Sequence, residues 1–179
     1  MPPVRPVVLA IETTVDRAQS VIVAVGSGED DVPQVRVVDA QARTAWVPRR
    51  VVDVITDHAE VSCIVMDDRD SADPVADAVE EALEAAGLQI EIVRMNYPDT
   101  AEACALTFDL VHEGEMRHAG DPLLDAAMRG AVKQENEGAF VWSRRKGGSL
   151  VAPLVAMTRG LWEWRRRVAA EYDVMDSVL

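Results

Sequence analysis

The strongest constraint on this chain is a succession of short aliphatic runs with little between them. Val7–Ile11 is continuous and rich in aliphatic and β-branched residues, the pattern of a strand covered on both faces. Thr13–Arg17 is a short polar turn, and Ser20–Val25 is a second run, stopped by the turn-forming Gly26-Ser27-Gly28-Glu29-Asp30-Asp31. Val35–Val38 alternates weakly and gives a third strand. Connections this short leave no room for a crossover helix, so the three must form an antiparallel meander.

From Pro48 the period changes. Val51, Val52, Val54 and Ile55 share one helical face as far as Ala59, Ser62–Met66 is a fourth strand, and Asp73-Pro74 caps a helix through Val75 to Ala86, ended by Gly87. Ile90–Val93 is a fifth strand. Thr100 caps a helix to about Glu113, Asp121-Pro122 opens another to about Lys133, Phe140–Ser143 is a short strand, and Pro153 starts a last helix to about Ala170. The order β-β-β-α-β-α-β, then helices, predicts an α/β fold: a mixed sheet flanked by helices, antiparallel in the meander and parallel in the later strands. That is the strand order of the ribonuclease H-like fold. No repeat, linker or low-complexity stretch divides the 179 residues, so one domain over 1–179 is expected.

In this topology the first and fourth strands lie side by side and open into one crevice at their C-terminal ends, the usual ligand position in such sheets. Glu12 ends the first and Asp67 the fourth, with Asp68 beside it. Two carboxylates meeting there repel unless a cation neutralises them, and hard oxygen ligands suit Mg²⁺ or Mn²⁺. The alternative is that these acids are solvated turn formers.

Charge speaks against nucleic acid at first, because 18 Lys+Arg face 31 Asp+Glu for a net of −13. The acidity is local, however. Residues 66–115 hold fourteen acids and two bases, while from 141 onward there are seven bases and four acids. Arg144, Arg145 and Lys146 before Gly147-Gly148 read as a basic loop suited to phosphate contacts, or as an ordinary solvated one. His118 could hold a phosphate or simply pack beside a turn, and Arg165–Arg167 read as a solvated helical face. Trp142, Trp162 and Trp164 read mainly as core, with base stacking as the alternative. Cys63 and Cys104 lie in apolar segments without metal-ligand spacing, so buried reduced thiols are expected. No run approaches the roughly 18 apolar residues of a membrane span, and Met1–Pro6 has no signal-peptide character, so a cytoplasmic site is expected.

Several segments in consistent order carry a resemblance. They are Ala101–Thr107, Phe108–Gly114, Met116-Arg117-His118-Ala119-Gly120-Asp121-Pro122-Leu123-Leu124-Asp125-Ala126-Ala127, Phe140–Arg145, and Ala152-Pro153-Leu154-Val155-Ala156-Met157 with Leu161-Trp162. Over roughly residues 7–165 the chain resembles the C-terminal nuclease domain of the terminase large subunit of tailed bacteriophages, especially of actinobacteriophage type. The resemblance implies a metal-dependent endonuclease that cuts concatemeric double-stranded DNA during packaging in the host cytoplasm, using one or two Mg²⁺ or Mn²⁺ ions on three acidic positions. It also implies the packaging ATPase, the small terminase subunit and the portal as partners. The first acidic position falls on Glu12, the second on Asp67, and the third on Leu150, where a carboxylate is expected. The missing acid leaves two outcomes: Asp16, Asp68 or Asp125 assists, or cleavage is lost and the domain is a module that binds DNA or packaging partners. No G-x-x-x-x-G-K-[ST] phosphate loop is present, so the ATPase lies outside this sequence. Leu9-Ala10-Ile11-Glu12-Thr13-Thr14 also resembles the opening of sugar-kinase-like and tRNA-threonylcarbamoyl-transfer proteins, which need a second domain and glycine-rich turns that are not found here.

Overall fold

The computed structural model describes residues 6–28, 30–69 and 73–176. The N-terminal residues Met1–Arg5 and the middle of the acidic loop after Asp67 fall outside them.

Strands β1 (Val7–Thr13), β2 (Gln19–Ser27) and β3 (Pro33–Ala42) form the expected antiparallel meander. Helix α1 (Val47–Asp57) leads into β4 (Val61–Asp67), and α2 (Asp73–Ala85) into β5 (Glu91–Met95). β4 pairs parallel with β1 and β5 with β4. After α3 (Tyr97–Glu113) come β6 (Arg117–His118), α4 (Pro122–Arg129), β7 (Lys133–Asn136), β8 (Ala139–Trp142), the one-turn α5 (Arg144–Gly147), a 3-10 turn Gly148–Val151, and α6 (Ala152–Asp176). The main sheet runs β5-β4-β1-β2-β3-β6, and β7 with β8 forms a separate hairpin. Among the described residues no helix is long and apolar enough to cross a membrane.

Side-chain alternation sorts the core into two layers. Val8 and Ala10 of β1, Val21 and Val23 of β2 and Cys63 and Val65 of β4 face the layer built with α3, α4 and α6. Leu9, Ile11, Ile22, Ile64 and Met66 face the layer built with α1 and α2. Both faces being covered explains why β1 and β4 read as unbroken apolar runs. By the same parity Glu12 and Asp67, the next residues in the first series, are set on the α6 side of the sheet.

Several expected boundaries shift for local reasons. α3 begins at Tyr97, not after Thr100, because the Asn96 side chain accepts the Asp99 N–H at 2.9 Å and Pro98 suits the first turn. α4 stops at Arg129, short of Lys133, because Gly130 ends it and the chain turns into the β7–β8 hairpin. Gly138, with φ of +85°, lies in the hairpin turn, and the polar Lys133-Gln134-Glu135-Asn136 gives no apolar alternation from which a strand could be read. The expected basic loop 144–146 is instead the start of α5.

Candidate functional site

Glu12 and Asp67 meet where β1 and β4 end side by side, and both are nearly inaccessible, at 2% and 4% exposure. They meet over arginine. Arg144 Nε lies 3.0 Å from Glu12 Oε1, and its Nη2 donates to both Glu12 Oε2 at 3.0 Å and Asp67 Oδ2 at 2.5 Å. Arg159 Nη1 donates to Glu12 Oε2, and its Nη2 lies 3.0 Å from Asp67 Oδ2, an ion pair without hydrogen-bond alignment. Arg69, half-exposed at the rim, places Nε 3.2 Å from the same Asp67 oxygen.

Each arginine is delivered by a different part of the fold. Arg159 sits on α6 and is 0% exposed. It reaches the sheet because Gly160 beside it lets the helix come close: a Cβ there would stand 2.7 Å from Val25 Cγ2 and 3.3 Å from Ala10 Cβ. Arg144 follows β8 at the start of α5, where Ser143 donates its backbone N–H to Val132 O at 2.7 Å. Trp142, two residues earlier, is anchored to α6 by its indole N–H on Thr158 Oγ1 at 2.9 Å.

The electrostatics follow from this geometry. Burial alone would raise the Asp67 pKa, but the charges of Arg159, Arg144 and Arg69 outweigh it and hold the carboxyl below its usual range. Burial likewise opposes the charge on Arg159, and Glu12 and Asp67 more than offset it, holding the guanidinium above its ordinary value. Buried charges persist only when matched in this way.

The other expected site residues are placed elsewhere. Asp16 caps the β1–β2 turn, accepting from Thr14 Oγ1 at 2.7 Å and the Ala18 N–H at 3.0 Å, which lower its pKa. It shares with Glu12, Arg144 and Arg145 the wall of an open cavity of about 290 Å³, without joining the cluster. Asp68 is exposed, its backbone N–H bonded to Met95 O. Lys146 is exposed. His118 is on β6, three strands across the sheet from β1, with Nε2 3.7 Å from Asp125 Oδ1. Neither His118 nor Asp125 therefore reaches the carboxylate pair. Leu150 is 62% exposed in the 3-10 turn.

Arg159 is the residue that sequence reasoning missed. Its signal was present as an arginine inside the apolar face Val155, Ala156, Leu161 of the last helix, a position that demands a buried acid. Trp142 and Trp164 are buried, as their core reading expected, and Arg166 and Arg167 pair with Glu163 on the helix surface. Cys63 and Cys104 are free and buried, which pushes both thiols up to about 11.

A divalent cation does not fit this donor set as folded. Two carboxylates can hold Mg²⁺ when water and phosphate complete the shell, so the number of acids does not decide the matter. What decides it is that Glu12 Oε2 already carries two guanidiniums and Asp67 Oδ2 three, with Arg159, common to both, wholly buried. A further cation between them would meet positive charge on both sides. Among the described residues no group of three or more His, Cys, Asp and Glu side chains is placed to hold a metal ion.

No protein-family model matches the sequence, and no curated protein sequence does. Solved structures do match. The large terminase of bacteriophage HK97 superposes with a TM-score of 0.74 at 16% identity over 89% of this chain. The fold is that of the large-terminase nucleases. The nuclease of the large terminase from thermophilic phage G20c follows at 0.64 and 14% identity, covering 89% of this chain and 82% of its own, and it is also known with magnesium bound. The G2P nuclease domain of bacteriophage SPP1, with bound manganese, matches at 0.56 and 13% identity over 88% of each chain. The present chain spans 39% of the HK97 terminase. The ribonuclease H-like architecture expected from the strand order is thereby established.

Proposed function

We propose that this chain is the nuclease-fold domain of a phage terminase large subunit, and that it engages double-stranded DNA during packaging without hydrolysing it. The observation that carries this reading is Arg159, wholly buried and paired with both carboxylates of the crevice. The same arrangement leaves cations at the rim: Arg69 is half-exposed and Arg145 exposed, beside a cluster in which three guanidiniums face two carboxylates. Phosphate contacts at that rim would position a duplex without cutting it. The packaging ATPase, the small terminase subunit and the portal are the partners this role implies.

The expected result with supercoiled plasmid is no nicking by the full chain in Mg²⁺, Mn²⁺ or EDTA, together with retardation of a duplex oligonucleotide that fades as salt rises. Nicking that requires metal and disappears in Glu12→Gln would overturn the reading. It would restore the metal-dependent endonuclease, which the paired acids at adjacent strand ends otherwise favour.

A further inference from the structure

The two inner arginines share one unusual property: Arg144 and Arg159 each contact the same two oxygens, Glu12 Oε2 and Asp67 Oδ2. Two cations bridging one pair of carboxylate oxygens is the charge arrangement of a two-metal site, built here from side chains. Because a single nitrogen, Arg144 Nη2, touches both oxygens, these converge on one point as the ligands of one ion do. We propose that Arg144 and Arg159 are the resident cations of this centre in place of divalent metal, and that the carboxylate pair beneath them is a latent divalent-cation site closed only by the guanidiniums.

The two arginines are not equivalent. Arg159 is enclosed by the core, whereas Arg144 keeps 11% of its side chain exposed and borders the 290 Å³ cavity that Asp16 also lines. Removing Arg144 therefore opens the carboxylates to water and to space for a partly hydrated ion, with Asp16 as a further oxygen donor on the wall. Arg159 is then the one buried guanidinium left for two carboxylates, and Arg69 at the rim is half-exposed and screened by solvent, which leaves a net attraction for a cation. The inference rests on the non-hydrolytic reading, and the two are tested separately: Mn²⁺ binding through Glu12 by the wild type without nicking would sink this proposal and leave that reading intact.

The experiment is a titration of the full chain with Mn²⁺ alone, read by the electron paramagnetic resonance of free Mn²⁺ and by thermal unfolding. The wild type should leave the Mn²⁺ signal and Tm unchanged. Arg144→Ser should take up Mn²⁺ and gain roughly 5–10 °C in Tm at a hundredfold excess over Kd, and the gain should vanish in Arg144→Ser with Glu12→Gln. Arg144→Gln, which keeps a hydrogen-bond donor at the site, serves as a second variant should the serine form fold poorly, and folding of either only with Mn²⁺ present also supports the proposal. It is overturned if the wild type binds Mn²⁺ through Glu12. It is equally overturned if a folded Arg144 variant ignores Mn²⁺, or if neither variant folds with or without the metal.

Discussion

Arg159 concentrates the largest single stake in the molecule. Breaking a buried ion pair by removing one partner leaves the other charge unmatched, so Arg159→Met should destabilise the chain by about 3–5 kcal/mol in urea unfolding. Neutralising the acids as well, in Glu12→Gln with Asp67→Asn and Arg159→Met, should recover much of that loss, since no charge is then stranded. Asp67 adds a pH dependence of fixed sign. Its folded pKa lies below its unfolded value of about 3.9, so the unfolded chain binds more protons in the acid range and stability rises with pH there. The stabilisation is complete above the unfolded pKa and is lost as pH falls through the folded one. Urea midpoints at pH 7, 4 and 3 should fall steeply for the wild type and less so for Asp67→Asn. At this scale the sequence showed both acids, through their places at the ends of adjacent strands and the resemblance, and it hid their partners. Arg159 lies 147 residues from Glu12, and the local pattern that calls for a buried acid does not say which acid meets it.

Elements were legible where one periodicity ruled. β1, β2 and β4, buried on both faces, stood out as apolar runs; the β1–β2 pairing followed from loop length and the β1–β4 pairing from the order of elements. The β7–β8 hairpin was only half visible, since β7 is exposed throughout and is held by backbone pairing and by Lys133 over the Phe108 and Phe140 rings. Helix α6 shows how one small residue sets an element's position. Alanine is worth about 1 kcal/mol more than glycine inside a helix, yet the Cβ of Gly160→Ala would collide with Val25. Overpacking costs about 1–3 kcal/mol, so the net effect should be a loss of up to about 2 kcal/mol, seen as a Tm lowered by no more than roughly 4–8 °C. The same displacement should carry Arg159 away from the carboxylates and blunt the pH response of Asp67.

At the scale of the whole molecule the charge of −13 is unevenly spread. Acidic residues dominate α2 and α3, while the arginines collect where β1 and β4 end against α5 and α6. Two of those arginines are spent on the carboxylates, so little positive charge remains for a duplex. DNA binding by this domain alone should therefore be weak, in the nonspecific range of about 10⁻⁴–10⁻⁶ M at physiological salt, and should lean on the rest of a larger assembly.

The carboxylate and arginine cluster also carries a clock. Glu12 and Asp67 are made first, on β1 and β4, and Arg144 and Arg159 follow later, on α5 and α6. On the ribosome the central strands can pair before α5 and α6 exist, but their ends cannot be dehydrated until both guanidiniums arrive. Helix α6 thus acts as the latch of synthesis: a nascent chain short of it holds two like charges at the heart of its sheet, and only one that has reached α6 can close.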